Sequence, residues 1–221
     1  MQKERVLVTG ASGFIGSNLL DYLLEKDYEV IGLSRQKNLP KIHPHLTWIR
    51  ALEELKHDRI DYVVNLAGES IAQGRWTDTR KQKLIASRVE TTTMLYQYLA
   101  KRKIQPKCII SGSAVGYYGI DPTEQWTECC NEQSAPQSIF MSELCQKWEQ
   151  SARQDTSQNT KIIRLGVVFG RGAGILPQML FPIKMNLCGR IGSGRQPVVW
   201  VHIQDVLRAI EFLMLHETTA Q

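Results

Sequence analysis

Three glycines near the start of the sequence, Gly10, Gly13 and Gly16, have the spacing and the setting of a phosphate-binding loop. They follow an apolar, β-branched run, Arg5–Thr9, and precede residues with helical periodicity. In such a loop the first glycine permits a tight turn, the second lets backbone N–H groups approach a diphosphate, and the third lets the helix pack closely on the strand. The helix N-terminus then favours the negative charge of the ligand. We therefore predict a dinucleotide site formed by Gly10, Ser12, Gly13, Phe14, Ile15 and Gly16.

The end of the second predicted strand, Glu29–Leu33, indicates which dinucleotide would bind. An acidic residue at this point would bind the ribose 2′-hydroxyl of NAD. The sequence instead continues with Ser34 and Arg35. A guanidinium group offers a planar, permanently charged fork for a 2′-phosphate, and a serine hydroxyl can donate a further hydrogen bond. We therefore predict NADP(H) as the cofactor, in preference to NAD(H), with a solvated surface arginine as the alternative for Arg35.

Strand-like runs alternate with helical segments along most of the chain. The predicted strands are Arg5–Thr9, Glu29–Leu33, His45–Ile49, Asp61–Leu66, Lys107–Ser111, Lys161–Leu165 and Val167–Phe169. Long helical patterns cover Asp78–Lys103 and Gln204–His216. Because strands that alternate with helices form parallel sheets covered on both faces, we predict an α/β, Rossmann-type doubly wound parallel sheet.

After Gly170 the sequence changes to glycine-rich loops that flank a short helix. The remaining segment is too short to form an independent domain. We therefore expect an NADP(H)-binding Rossmann domain over residues 1–170 and a small partial C-terminal cap over residues 171–221.

Composition indicates a folded, soluble protein, since 43% of the 221 residues are apolar and 22% are charged. The sequence has no apolar run of the roughly 18 residues needed to span a membrane and no signal-peptide pattern, so we expect a cytoplasmic protein. The net charge of +5 is scattered, which does not favour a nucleic-acid partner. The five cysteines and five histidines lack metal-ligand spacing, so no metal is expected.

Several longer strings extend beyond the glycine loop, and together they form a recognisable pattern. They are NLAGESI from Asn65, SRVETT from Ser87, the segment Ser111–Ala114, KWE from Lys147, GVVFGRGAG from Gly166, GRIGSG from Gly189 and WVHIQD from Trp200. This pattern resembles the extended short-chain dehydrogenase/reductases, the NAD(P)-dependent epimerases and dehydratases of nucleotide sugars. Within them it is most similar to the subgroup called epimerase family proteins, and the likeness covers essentially the whole chain.

The resemblance implies which residues surround the nicotinamide and the substrate. Further cofactor contacts would come from Leu66, Ala67, Gly68 and Ser111. Ser113 would be the catalytic serine beside the nicotinamide. Glu69, Trp76 and His202 would lie on the substrate side. For His202, capping of the last helix together with Asp205 is the alternative.

One part of the family's chemistry is missing from this sequence. The superfamily uses Tyr-x-x-x-Lys, in which the tyrosine exchanges a proton with the substrate hydroxyl and the lysine lowers the tyrosine pKa. The corresponding stretch, Ser138–Glu149, contains no tyrosine, and Lys147 follows Glu143 at that spacing. Tyr117 or Tyr118 could act as the proton donor instead, with a packing role as the alternative.

Two functions therefore remain open at this point. The first is an NADP(H)-dependent oxidoreductase or nucleotide-sugar epimerase-like enzyme with a small-molecule substrate. The second is a non-catalytic NADP(H)-binding sensor or partner protein. Family members continue beyond the point at which this sequence ends, so we expect an incomplete substrate cap. The family also implies a homodimer through the Asp78–Lys103 helix, by analogy alone.

Overall fold

Short apolar runs form the parallel strands at the centre of the fold. In the computed structural model these strands are β1 (Arg5–Thr9), β2 (Glu29–Leu33), β3 (Leu46–Ile49), β4 (Tyr62–Asn65), β5 (Cys108–Ala114) and β6 (Thr160–Leu165). Their order across the sheet is β3-β2-β1-β4-β5-β6, and all neighbours are parallel. This order, typical of dinucleotide-binding folds, confirms the predicted doubly wound sheet. The structure describes residues 3–36, 39, 41–56, 59–121, 123, 125, 129–171, 174–187, 189–190 and 193–216.

The helices cover both faces of this sheet. They are α1 (Phe14–Glu25), α2 (Asp78–Arg102), α3 (Phe140–Ala152), α4 (Leu176–Lys184) and α5 (Ile203–Leu215). On one face, Leu19 of α1 and Ile210 of α5 belong to the same buried cluster. On the other face, Leu95 and Leu99 of α2 pack in a second cluster, and α3 lies beside α2. A separate two-stranded parallel sheet joins β7 (Val167–Phe169) to β8 (Trp200–His202).

The predicted elements are present, with two informative differences. Strand β5 continues past its predicted end at Ser111 to Ala114, so Ser113 lies within the strand. Helix α3 has no counterpart in the sequence-based prediction. The division at residue 170 stays a prediction, and α5, which lies beyond it, packs into the same core as β1. Within the described ranges, no helix combines the length and the apolar character needed to cross a membrane.

The strand order reverses between β1 and β4, and this reversal locates the site. The connection from β1 leads outward to β2 and β3, whereas the chain then returns to place β4 on the other side of β1. In doubly wound sheets a crevice opens at this point, beyond the carboxyl ends of the strands. The residues that follow β1, β2 and β4, together with the end of β5, therefore converge on one edge.

Candidate functional site

The loop between β1 and α1 turns tightly around Gly10. This residue has φ of +65°, a conformation that favours glycine, and its carbonyl oxygen accepts a hydrogen bond of 2.9 Å from the N–H of Gly13. A Cβ atom on Gly10 would lie 2.7 Å from the carbonyl oxygen of Leu66. The end of β4 therefore approaches the loop so closely that a side chain does not fit.

Helix α1 starts directly from this loop and directs its N-terminus at the crevice. A Cβ atom on Gly16 would lie 2.3 Å from the Gly10 carbonyl oxygen, so the first turn of the helix packs on the loop backbone. Gly13 occupies the N-cap position, where no described side chain caps the helix, and the first turn carries no acidic residue. Free N–H groups and the positive end of the helix dipole suit an anionic ligand. The loop therefore fits a diphosphate.

The loop residues Phe14 and Ile15 face the protein rather than the crevice opening. Ile15 packs against the buried cluster under α1. The ring of Phe14 lies against the glycine-rich segment after β7, where a Cβ atom on Gly170 would come within 2.8 Å of it. Phe14 therefore joins the dinucleotide loop to the C-terminal part of the chain.

Ser34 and Arg35 lie side by side at the end of β2, as the strand boundary predicted. The Ser34 side chain is buried, and its hydroxyl shares a hydrogen bond of 2.7 Å with the hydroxyl of Ser12 in the glycine loop. It also accepts a bond of 3.2 Å from the Gln36 N–H. Arg35 is exposed to solvent. Ser34 is therefore tied to the loop, whereas the Arg35 guanidinium is available to a ligand.

A buried polar network fixes the strand ends beneath the crevice. The Asn65 side-chain amide donates hydrogen bonds to Thr92 (2.8 Å) and Ser111 (3.2 Å), and its oxygen accepts a bond of 2.7 Å from Thr9. The Thr9 hydroxyl also accepts bonds of 3.2 Å from the N–H groups of the next two residues after Asn65. Ser111 is fully buried, so it supports the crevice from below. Leu66 and Ala67 are partly buried, and Gly68 is exposed at the rim.

The side chain of Ser113 is bound to a buried ion pair that the sequence analysis did not identify. Its hydroxyl donates a hydrogen bond of 2.7 Å to Oε1 of Glu149 on α3. Glu149 is only 3% exposed, and Arg164 of β6 binds both of its oxygens, through Nε at 2.7 Å and Nη2 at 2.8 Å. This bidentate geometry compensates the carboxylate for its loss of solvent. The sequence feature that could have indicated this ion pair is Arg164, a charged residue near the end of the strand-like run Lys161–Leu165.

Arg164 also contacts both tyrosines that were predicted as substitute proton donors. Its Nη1 donates a hydrogen bond of 3.0 Å to the hydroxyl of Tyr118. The centre of its guanidinium group lies 3.6 Å from the ring centroid of Tyr117. The hydrogen bond to Glu149, and to a smaller extent the bond to Tyr118, raises the pKa of Arg164 above its ordinary value. Tyr118 therefore has a permanent cation at its hydroxyl, while Tyr117 packs against that cation with its ring.

Helix α3 presents neither tyrosine nor lysine to the Ser113 segment. A Cβ atom on Gly116, in the turn after β5, would lie 3.1 Å from Met141 and 3.9 Å from the Cys145 sulfur. Burial raises the pKa of the Cys145 thiol, which favours its neutral form. Lys147 instead forms an ion pair of 2.6 Å with Glu143, and both side chains are about half exposed. Met141 and Cys145 are therefore the α3 side chains that lie against the turn after β5.

The loop after β4 is held by two arginines of α2. The carboxylate of Glu69 forms an ion pair with Arg80. The buried Arg88 donates a hydrogen bond of 2.9 Å to the Glu69 carbonyl oxygen and lies 5.2 Å from the Trp148 ring. Burial lowers the pKa of Arg88, which has no carboxylate partner among the described residues. The Arg88 side chain also lies against the backbone of Gly68, since a Cβ atom on this glycine would be 2.9 Å from the Arg88 guanidinium carbon.

Trp76 and His202, predicted on the substrate side, have different surroundings. Trp76 is 43% exposed, and its ring meets Phe140 edge-on with a centroid distance of 5.5 Å. His202 is the N-cap of α5, where its Nδ1 accepts a hydrogen bond of 3.3 Å from the Gln204 N–H. His202 therefore caps α5, as the alternative left open by the sequence has it, and its place on the substrate side stays a prediction. Asp205 lies 3.6 Å from Arg208 in an exposed ion pair.

Comparison with known proteins assigns this architecture to one family. The profile of the NAD dependent epimerase/dehydratase family matches residues 6–221. The chain is 36% identical over 212 residues to Epimerase family protein SSP1921 of Staphylococcus saprophyticus, and the match covers 94% of this chain and 70% of that protein.

Two solved structures are similar over nearly the whole chain. Human epimerase family protein SDR39U1 (isoform 2), crystallised with NADPH, superposes with a TM-score of 0.81 and 35% identity, covering 96% of this chain and 70% of that one. The nucleoside-diphosphate sugar epimerase from Corynebacterium glutamicum has a TM-score of 0.76 and 27% identity, covering 97% of this chain and 44% of that one.

Proposed function

Because this chain belongs to the NAD dependent epimerase/dehydratase family, we propose that it binds NADP(H) and acts as an oxidoreductase or a nucleotide-sugar epimerase. The observation that carries the proposal is the uncapped N-terminus of α1, which faces the crevice across a glycine turn closed to side chains. Backbone N–H groups at a helix N-terminus bind the diphosphate of a dinucleotide.

The choice of NADP(H) rests on the end of β2. Ser34 is fixed by its bond to Ser12, and Arg35 extends into solvent at the same edge. A 2′-phosphate would accept hydrogen bonds from this arginine, and no acidic residue follows β2 directly to bind a 2′-hydroxyl. The human relative crystallised with NADPH agrees with this choice.

Arg35→Ala is therefore expected to weaken NADPH binding by on the order of 10- to 100-fold, the value of one charge-assisted hydrogen-bonding group. NADH binding should change by less than about twofold, because NADH has no 2′-phosphate for the arginine to bind. Isothermal titration calorimetry with both nucleotides measures the two effects. Lys101→Ala, which removes one exposed positive charge near the end of α2, is the matched control. An equal loss for NADPH and NADH would contradict the assignment.

When bound, the nicotinamide ring would accept or donate a hydride, and the protein would handle the accompanying proton. Ser113 is buried and donates its own proton to Glu149, so its part in the reaction would be to accept a hydrogen bond from a substrate hydroxyl through an oxygen lone pair. Tyr118 is the candidate proton donor and acceptor, and Nη1 of Arg164 lies 3.0 Å from its hydroxyl oxygen. Tyr117 supports Arg164 through its ring face.

The substrate class follows from the family rather than from a preformed pocket. Members of the family act as epimerases and dehydratases, and one similar solved structure is a nucleoside-diphosphate sugar epimerase. Glu69 and Trp76, which lie on the loop after β4, are the residues that we assign to the substrate side. We propose a small hydroxyl or carbonyl compound, with nucleotide sugars as the first candidates.

A non-catalytic NADP(H)-binding sensor or partner protein is the second candidate function. One specific observation favours it, namely that α3 places Met141 and Cys145, and neither a tyrosine nor a lysine, against the turn that follows β5. Loss of a general acid–base group lowers rates by typically 10²- to 10⁴-fold.

A turnover experiment separates the two functions. The protein is mixed with NADPH or NADP⁺ and a panel of carbonyl compounds and nucleotide sugars. The absorbance of the reduced nicotinamide measures net oxidation or reduction, and chromatography of the sugars measures epimerisation, which regenerates the cofactor in each cycle. For an enzyme, we expect Ser113→Ala to lower turnover by at least about 100-fold while the Kd for NADPH stays within about twofold. Tight NADPH binding without turnover, identical in the wild type and in Ser113→Ala, would favour the binding protein.

A further inference from the structure

Arg88 of α2 is a buried cation near the ends of β4 and β5. The residue is only 6% exposed, and its Nη2 donates a hydrogen bond of 2.9 Å to the Glu69 carbonyl oxygen. A Cβ atom on Gly68, at the rim of the crevice, would lie 2.9 Å from its guanidinium carbon. The same carbon lies 5.2 Å from the centre of the Trp148 ring, and that ring would be 3.1 Å from a Cβ atom on Gly112 of β5. The guanidinium group therefore lies where α2 and α3 meet the ends of two central strands.

The hydrogen bonds of Arg88 leave its charge uncompensated. Nη1 donates bonds of 3.0 Å to the Leu84 carbonyl oxygen and 3.3 Å to the Ser87 hydroxyl, so these acceptors and the Glu69 carbonyl oxygen are all neutral. Nε is buried and finds no acceptor within the described ranges. Because a guanidinium group stays protonated in proteins, a full positive charge is held in a place shielded from water.

Two carboxylates adjoin this region, and each already binds another arginine. Glu69 forms its ion pair with Arg80, and Glu149 of α3 forms its ion pair with Arg164. A buried charge without a counter-charge lowers the stability of the folded state. Packing alone therefore does not account for an arginine at position 88.

The position of Arg88 relates it to one end of the predicted nucleotide. A dinucleotide bound where the strand order reverses extends over both halves of the sheet. With its adenosine end at Ser34 and Arg35 and its diphosphate at the glycine loop, the nicotinamide end would extend over the ends of β4 and β5. The nicotinamide ring is positively charged in NADP⁺ and neutral in NADPH, whereas the phosphates are the same in both. A fixed cation below this end therefore discriminates between the two forms by charge alone.

We propose that Arg88 makes the site selective for the reduced cofactor, because its uncompensated charge disfavours the cationic ring of NADP⁺ relative to the neutral ring of NADPH. The inference rests on the proposed function and adds to it, since it concerns the redox state of the bound nucleotide. With both forms present at equal concentration, the site would be filled mainly by NADPH.

Calorimetric titrations with NADPH and NADP⁺ test this charge effect through the ratio of the two dissociation constants. For the folded wild type we expect the Kd of NADP⁺ to exceed that of NADPH by roughly tenfold, the effect of one like charge within about 10 Å at an effective dielectric constant of about 20. Arg88→Met should bring the ratio down to about 1 to 2, because the charge is gone. Arg88→Lys keeps the charge and should keep the ratio within about threefold of the wild type. Lys83→Met, which removes an exposed positive charge from the same helix, is the matched control and should change the ratio by less than about twofold.

Every other result overturns the inference. A wild type that binds both forms equally has no charge discrimination, whatever the variants do. If Arg88→Met keeps the wild-type ratio, even with both affinities lowered, Arg88 only holds the loop after β4 and the proposed function stands. If Arg88→Lys loses the ratio as Arg88→Met does, hydrogen bonding rather than charge is responsible. If the folded wild type binds neither form, the proposed function fails together with this inference. Thermal unfolding verifies the fold of each variant, and Arg88→Gln serves as the neutral variant if Arg88→Met does not fold.

Discussion

Gly16→Ala is expected to abolish measurable NADPH binding and to lower the free energy of unfolding by about 3 kcal/mol, the upper range for overpacking a closely packed site. The added methyl group would lie 2.3 Å from the Gly10 carbonyl oxygen and 2.8 Å from the Ala11 Cα atom. Both neighbours are backbone atoms of a tight turn, so neither can rotate away. The clash is relieved only if α1 moves away from the loop, which exposes part of its buried face and turns the helix N-terminus away from the diphosphate.

Urea denaturation measures the stability change, and calorimetry with NADPH measures the loss of binding. The matched control is Gly189→Ala, because an added Cβ atom there would have no described neighbour within 4 Å. That control should change the free energy of unfolding by less than about 0.5 kcal/mol. A Gly16→Ala protein with the stability and the NADPH affinity of the control would show that the helix does not pack on the loop as described.

Arg164→Ala is expected to lower the free energy of unfolding by about 3 to 5 kcal/mol, as is typical when one partner of a buried ion pair is removed. Glu149, which is 3% exposed, would keep the Ser113 hydroxyl and a distant contact of 3.7 Å with the exposed Arg153. A buried carboxylate that has lost its cation is poorly compensated for the loss of water, which makes the folded state less stable relative to the unfolded state. Tyr117 and Tyr118 would lose their shared cation at the same time.

The control for this variant lies on the same helix as Glu149. Lys147→Ala removes the partner of Glu143 from a half-exposed pair, and exposed pairs contribute at most about 1 kcal/mol. Urea denaturation of both variants gives the comparison, and the double variant Glu149→Gln/Arg164→Met should recover part of the stability lost by Arg164→Ala. Equal, small effects of Arg164→Ala and Lys147→Ala would mean that the Glu149 pair is not buried in solution.

The sheet and the dinucleotide loop could be predicted because both depend on local sequence. The β-branched run Arg5–Thr9 followed by spaced glycines specifies a strand, a turn and a helix without reference to distant residues. The same holds for Ser34 and Arg35, whose position follows from where β2 ends.

The surroundings of Ser113 could not be predicted, because they depend on pairing between distant elements. Helix α3 has apolar residues at helical spacing, but it also buries three polar side chains, Ser142, Glu149 and Ser151, which an apolar/polar pattern would assign to the solvent side. The partner of Glu149 comes from β6, and nothing in the local sequence around either residue specifies that they meet. Periodicity indicates which face of an element is buried, but it does not identify contacts across the core.

The hydrogen bonds of Asn65 tie β1, β4, β5 and α2 to one another, so the floor of the crevice can open only when several elements separate together. These side chains are already fixed before a nucleotide binds, so binding restricts few additional protein groups at the floor of the crevice. The side-chain entropy that the protein loses on association then falls on exposed residues at the rim such as Arg35, where affinity is most easily adjusted by substitution.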